Sequence, residues 1–112
     1  MVLLVLKIIA AVGTLLTGLV SLFWPRSLDG FTGLAPTGGR GVTEIRAVFG
    51  GAFIGLGAVC LALGDTAYRT LGVMYLAIAA VRAVSMITDK SVVRSNIISL
   101  LVEIAFGVVL IL

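Results

Sequence analysis

The sequence predicts an all-α fold, a bundle of four transmembrane helices with antiparallel neighbours and short loops. Three observations lead there. Hydrophobic residues make up 61% of the chain and charged residues 12%, whereas roughly half of a soluble domain is apolar. The chain has only 112 residues, and so small a globule has too little interior to hide that excess from water. Finally, the apolar residues fall in long runs, and a helix needs about 20 of them to cross the hydrocarbon layer.

Four runs reach that length: Val2 to Phe23, Val42 to Leu63, Ala67 to Thr88 and Val92 to Leu112. They use most of the chain, so residues 1–112 read as one integral membrane domain. The first run has no basic segment before it and no small-residue cleavage pattern after it. It ends instead in Phe23-Trp24-Pro25-Arg26, aromatics and a cation at the level of the membrane interface, and reads as a retained helix. Pro25, Asp29, Gly30, Pro36, Gly38, Gly39 and Gly41 break the first connection. Gly64, Asp65 and Thr66 break the second, and Asp89, Lys90 and Ser91 the third. The connection from Arg26 to Gly41 is long for a helical bundle. Phe31 and Leu34 give it apolar anchors, which favours an ordered cap over a mobile connector.

The net charge of +3 comes from eight Lys and Arg against five acids. No basic run or aromatic-interleaved patch of the nucleic-acid kind occurs, so the excess reads as topogenic. Arg26, Arg40, Arg46, Lys90 and Arg94 share one side of the membrane, against Lys7 and Arg69 on the other. The positive-inside rule then places both termini outside. The chain has no histidine and a single cysteine, Cys60, inside an apolar run. That composition argues against a zinc, haem or His-based site, and no cofactor is expected. Cys60 reads as a small packing residue.

Ionisable groups inside membrane helices cost about 2.5–3.5 kcal/mol at the centre and normally face the bundle interior in pairs. Glu103 is the costliest, about eleven residues or ~16 Å into the fourth run. Arg82 lies roughly 9 Å inside from the same face, and Glu44 and Arg46 open the second run there. These four are expected to converge in one polar cluster, with a planar guanidinium pairing to Glu103 or Glu44. Lys7 reads as a residue snorkelling to the near surface.

Helical spacing places each group on a stripe. Lys7, Thr14, Gly18 and Ser21 share a face of the first helix, and Asn96, Ser99, Glu103 and Gly107 one of the fourth. Tyr75, Ala79, Arg82 and Met86 do so in the third, and Glu44, Gly51, Gly55, Ala58 and Ala62 in the second. All four stripes are expected to point inward. Gly51 and Gly55 form a GxxxG match that, with Gly50, allows close helix packing, inside this bundle ahead of another subunit. The Ser and Thr hydroxyls are expected to bond their own helix carbonyls. Four short helices leave little internal volume, so any conduction path would lie between subunits.

The run Glu44-Ile45-Arg46-Ala47-Val48-Phe49-Gly50-Gly51, then Gly55, Gly57, Arg82-Ala83-Val84-Ser85 and Glu103, resembles a family of small bacterial four-helix membrane proteins of unknown function. That family is in turn reminiscent of the DoxX-like membrane proteins. The resemblance implies four helices in a bacterial inner membrane, with Glu44, Arg46, Gly50, Gly51, Arg82 and Glu103 at its patterned positions, and it supplies no reaction. The DoxX-like link would imply quinone or thiol redox chemistry, but the cysteine pairs that thiol chemistry uses are absent.

Three functions are then ranked. The first is a non-enzymatic accessory or scaffold protein, either a subunit of a larger membrane complex or a homo-oligomer, packed through Gly/Ala faces. The alternative is a binder or carrier of a lipid, quinone or ion at the Glu44, Arg46, Arg82 and Glu103 cluster. An enzyme ranks third: four charges specify no reaction, and an arginine beside Glu103 makes it a poor base.

Overall fold

The computed structural model describes residues 1–28 and 34–112. Helix α1 spans Val2–Phe23, and α2 Gly38–Leu63. Helix α3 spans Asp65–Thr88, and α4 Arg94–Ile111. No strand occurs among the described residues. Each helix is long and apolar enough to cross a membrane, and the longest dimension of the Cα trace is 42 Å, about the thickness of a bilayer with its headgroups. The chain is a multi-pass membrane protein with an all-α four-helix architecture.

The connections follow local chemistry. A 3₁₀ turn, Pro25–Leu28, follows α1, since proline cannot continue the helix. Of the expected cap, Asp29, Gly30 and Phe31 lie outside the described residues, while Leu34 helps to line a small cavity against the start of α2. A single residue, Gly64, joins α2 to α3. Its φ of 74° lies in the left-handed region, which only glycine adopts freely. Its NH donates to the Cys60 carbonyl while its own carbonyl accepts from Tyr68, closing one helix and opening the next. A short turn around Lys90 returns the chain to α4, which starts two residues later than Val92.

Helix α1 packs along α2, and α3 along α4. Without a hydrophobic force between helices in lipid, close packing of small residues and hydrogen bonds must hold such pairs together. At the α1–α2 crossing a Cβ on Gly18 would sit 2.7 Å from the Ile54 backbone nitrogen. At the α3–α4 crossing a Cβ on Gly72 would sit 3.0 Å from the Gly107 carbonyl oxygen. Only glycine permits either approach. The Thr14 hydroxyl donates to the Ala10 carbonyl at 2.8 Å and lies 2.6 Å from the Tyr75 hydroxyl, a buried hydrogen bond between α1 and α3. As expected of the stripes, Thr14 and Ser21 bond carbonyls of their own helix, and Thr17, Thr43 and Thr70 do the same elsewhere.

The inward stripes of α1, α3 and α4 fall where spacing puts them, but that of α2 does not. Residues Ile45–Ala52 form a π-helical segment, which α2 carries between its two α-helical parts. Wider i→i+5 turns rotate the chain less per residue, so Ile45, Gly50, Gly57 and Cys60 face inward. Glu44, Gly51, Gly55, Ala58 and Ala62 face outward. A Cβ on Gly51 or Gly55 would meet nothing within 4 Å, so the expected GxxxG contact inside the bundle is absent. Gly50 does pack within it, against Leu22 of α1. Helix α2 also begins four residues before Val42, and α3 two residues before Ala67.

The buried core is concentrated toward the end of the bundle that holds the chain termini. Ala10, Ala11, Cys60, Leu71 and Leu110 fill it, with Tyr68 and Tyr75 beside them. Lys7 adjoins this core with its side chain only 8% exposed, and its ammonium reaches toward the near surface, 3.6 Å from the 69% exposed Asp65 at the α2–α3 turn.

Candidate functional site

Beyond this core, toward the first and third connections, the four helices part around a half-open cleft of about 630 Å³. Thr17 of α1, Phe49 and Phe53 of α2 and Tyr75 of α3 contribute to its wall, with Ser99 and Phe106 of α4. Aromatic contacts set that wall in place. Phe49 and Phe53 lie one turn apart with ring centroids at 5.9 Å, and Tyr75 meets Phe106 edge-on at 5.5 Å.

Arg82 and Glu103 also line the cleft. Arg82 Nε lies 2.9 Å from both carboxylate oxygens of Glu103, and its Nη2 donates to Oε1 at 2.6 Å. Two nitrogens on one carboxylate make the side-on fork that only a guanidinium can offer. Its Nη1 donates to Asn96 Oδ1 at 2.9 Å, and Asn96 Nδ2 in turn donates to the Ser91 carbonyl. Arg82 is thus held from two sides in one orientation. Guanidinium carries five N–H bonds, and these contacts engage one on each nitrogen. One N–H on each terminal nitrogen is left for another acceptor.

Exposure differs across the pair: the Glu103 side chain is 9% exposed and that of Arg82 30%. The acid is spent on holding the base, and the base is the accessible partner. On the far side of Arg82 a smaller cavity of about 260 Å³, bordered by Ser85, Ser91 and Asn96, leads toward the α3–α4 turn. Arg94, the first residue of α4, stands at the rim of the main cleft and has no ion pair among the described residues.

Of the four charges expected to converge, the structure joins Arg82 and Glu103 alone. Glu44 pairs with Arg40 one turn away on the outer face of α2, a local i,i+4 partner that needs no tertiary contact. Arg46 is exposed and makes no ion pair among the described residues. The wider turns of the π segment begin at Ile45, between the two, and carry the start of α2 away from the cleft. Arg94, Phe53 and Phe106 are site residues that charge and stripe reasoning missed. The i,i+4 spacing of Phe49 and Phe53 was the available signal. For Arg94 there was none, because a basic residue at a helix end reads equally as topogenic. No group of residues able to hold a metal ion occurs among those described.

Comparison with protein-family models, with curated proteins and with solved structures finds no match to this chain.

Proposed function

We propose that this protein binds one amphiphilic molecule within the membrane, its apolar part against the aromatic wall and its polar end at Arg82. One observation carries the reading: a guanidinium fixed by Glu103 and Asn96, yet still holding two unengaged N–H donors, at the polar edge of an otherwise apolar cleft. A purely structural ion pair has no need of a cavity beside it. The volume falls within the roughly 300–1,000 Å³ of small-molecule sites, which combine apolar walls with a few placed polar groups. The packed core beyond Tyr75 closes the other end, so the reading is a binder or carrier and not a channel. It is the alternative of the sequence ranking, and the cleft moves it ahead of the scaffold.

The test is occupancy. Protein extracted from its native membrane into lipid nanodiscs is expected to retain one enriched lipophile, at about one per chain by mass spectrometry of the extract. Ser99→Trp fills the cleft from a half-buried position and is expected to remove that lipophile while circular dichroism stays unchanged. Equal lipid content in the wild type and this variant would rule the reading out.

A second reading, a homo-oligomer or accessory subunit, rests on the outward stripe of Gly51, Gly55, Ala58 and Ala62. Small residues on a lipid-facing surface let a second helix approach closely. Native mass spectrometry would discard it if Gly51→Leu leaves the oligomeric state of the wild type unchanged. The resemblance to the four-helix family and to the DoxX-like proteins fits either role and a bacterial inner membrane.

For topology we propose both termini outside, because Arg26, Arg40, Arg46, Lys90 and Arg94 lie toward the ends joined by the first and third connections. A reporter fused after Leu112 that matures only outside the cytoplasm is expected to be active. Activity of a cytoplasm-only reporter at the same position would reverse the assignment.

A further inference from the structure

The charge balance of the cleft narrows what it takes, granted the binding role proposed above. Three ionisable side chains other than tyrosine line it: Arg82, Arg94 and Glu103. Glu103 is engaged by Arg82 through three contacts, the shortest 2.6 Å. Arg94 has no acid beside it among the described residues. The pair within the cleft is neutral, so its lining carries one uncompensated positive charge, that of exposed Arg94 at the rim. A cleft lined mainly by low-dielectric aromatic and aliphatic side chains concentrates the field of a charge at its mouth and so favours a ligand of the opposite sign.

Donor chemistry points the same way. Arg82 offers one N–H on each terminal nitrogen, and Arg94 offers a second guanidinium at the rim. Ser95 and Ser99 add hydroxyls on the same wall. This set is dominated by donors, and its carboxylate is already committed to Arg82. A cationic headgroup would meet two arginines. A neutral carbonyl would be accepted by the donors but would leave the net charge in place. A compact headgroup with two or more anionic oxygens satisfies both requirements, because arginine pairs such oxygens in a fork.

We infer that the ligand is an anionic amphiphile, a carboxylate or phosphate headgroup on an apolar tail, with the headgroup between Arg82 and Arg94 and the tail along Phe53 and Phe106. Arg82 is held by the bundle and acts as the fixed donor. Arg94, exposed and unpaired, supplies the charge that selects for an anion.

The experiment compares headgroups on one tail. Delipidated protein in nanodiscs of zwitterionic phosphatidylcholine is titrated with fluorescent single-chain amphiphiles ending in carboxylate, phosphate, alcohol or trimethylammonium. An isoprenoid quinone and inorganic phosphate are tested alongside. The carboxylate and phosphate forms are expected to bind at least about tenfold more tightly than the alcohol. Arg94→Gln, at an exposed position that leaves the Arg82–Glu103 pair intact, is expected to remove most of that difference. Raised salt should weaken the anions and leave the alcohol unchanged. Equal binding of all four headgroups, abolished by Ser99→Trp, would overturn the anion preference while upholding the amphiphile site. Tighter binding of the quinone than of either anion would overturn it in favour of a neutral acceptor. Saturable binding of inorganic phosphate as tight as that of the phosphate amphiphile would overturn the role of the tail. Failure of every amphiphile to bind would remove the binding role itself.

Discussion

Glu103→Ala is expected to be the most damaging single substitution in the polar cluster, lowering the unfolding free energy in mild detergent by about 3 kcal/mol. Glu103 accepts from two nitrogens of Arg82, and removing it strands a guanidinium that is mostly within the bundle. Breaking a buried pair from one side costs about 3–5 kcal/mol, and placing arginine in a membrane interior about 2.5–3.5 kcal/mol. The 30% exposure of Arg82 sets the expectation at the lower end. Removing both partners together should cost far less, since apolar replacement of a whole buried pair is often neutral. Arg82→Met combined with Glu103→Leu is therefore expected to recover most of the lost stability, as read from denaturation in mixed micelles. The same double variant is expected to lose the enriched lipophile. That combination, a stable bundle with an empty cleft, separates a binding role for the pair from a locking role. A double variant as unstable as Glu103→Ala would show instead that the pair is a lock, and retention of the ligand would remove Arg82 from the site.

Gly18→Leu is expected to have an effect of similar size by a different route. A Cβ there would lie 2.7 Å from the Ile54 backbone nitrogen and 3.0 Å from the Gly50 carbonyl oxygen. Backbone cannot swing aside as a side chain can, so α1 and α2 must separate along the crossing. Overpacking typically costs about 1–3 kcal/mol, occasionally more, and an approach this close belongs at the upper end. Gly51→Leu and Gly55→Leu meet open space and are expected to change stability by no more than about 0.5 kcal/mol. Denaturation of the three variants side by side checks which glycine face of α2 packs. If Gly51→Leu unfolds the protein as readily as Gly18→Leu, the inward face of α2 has been assigned wrongly.

These two cases also show how far the sequence reaches. The number of membrane-spanning helices follows from one-dimensional quantities, the length and hydropathy of each run, because the bilayer imposes a fixed thickness on every crossing. The inward faces of α1, α3 and α4 were legible too, through Lys7, Thr14, Ser21, Tyr75, Arg82, Asn96 and Glu103. In lipid a misplaced polar group costs several kcal/mol, so such residues mark the interior more firmly than leucines mark the exterior. Helix α2 has few of these markers. Its glycines lie on two faces, and the π-helical turns of Ile45–Ala52, which turn Gly50 and Gly57 inward and Gly51 and Gly55 outward, depart from the regular spacing that a sequence reading assumes.

Length, hydropathy and charge along the chain are thus enough to give the multi-pass helical architecture and the polar residues that must find partners inside it. The tertiary structure decided which partner each one took. Glu44 and Glu103 are equally plausible mates for Arg82 in one dimension, yet Glu44 is satisfied by Arg40 one turn away, which leaves Glu103 to Arg82. Lys7 likewise found Asp65 at the α2–α3 turn. The cleft itself belongs wholly to the tertiary level, because a cavity is where four helices fail to meet. That is set by the wider turns of Ile45–Ala52 and the close crossings at Gly18 and Gly72, relations among backbones that no single helix carries.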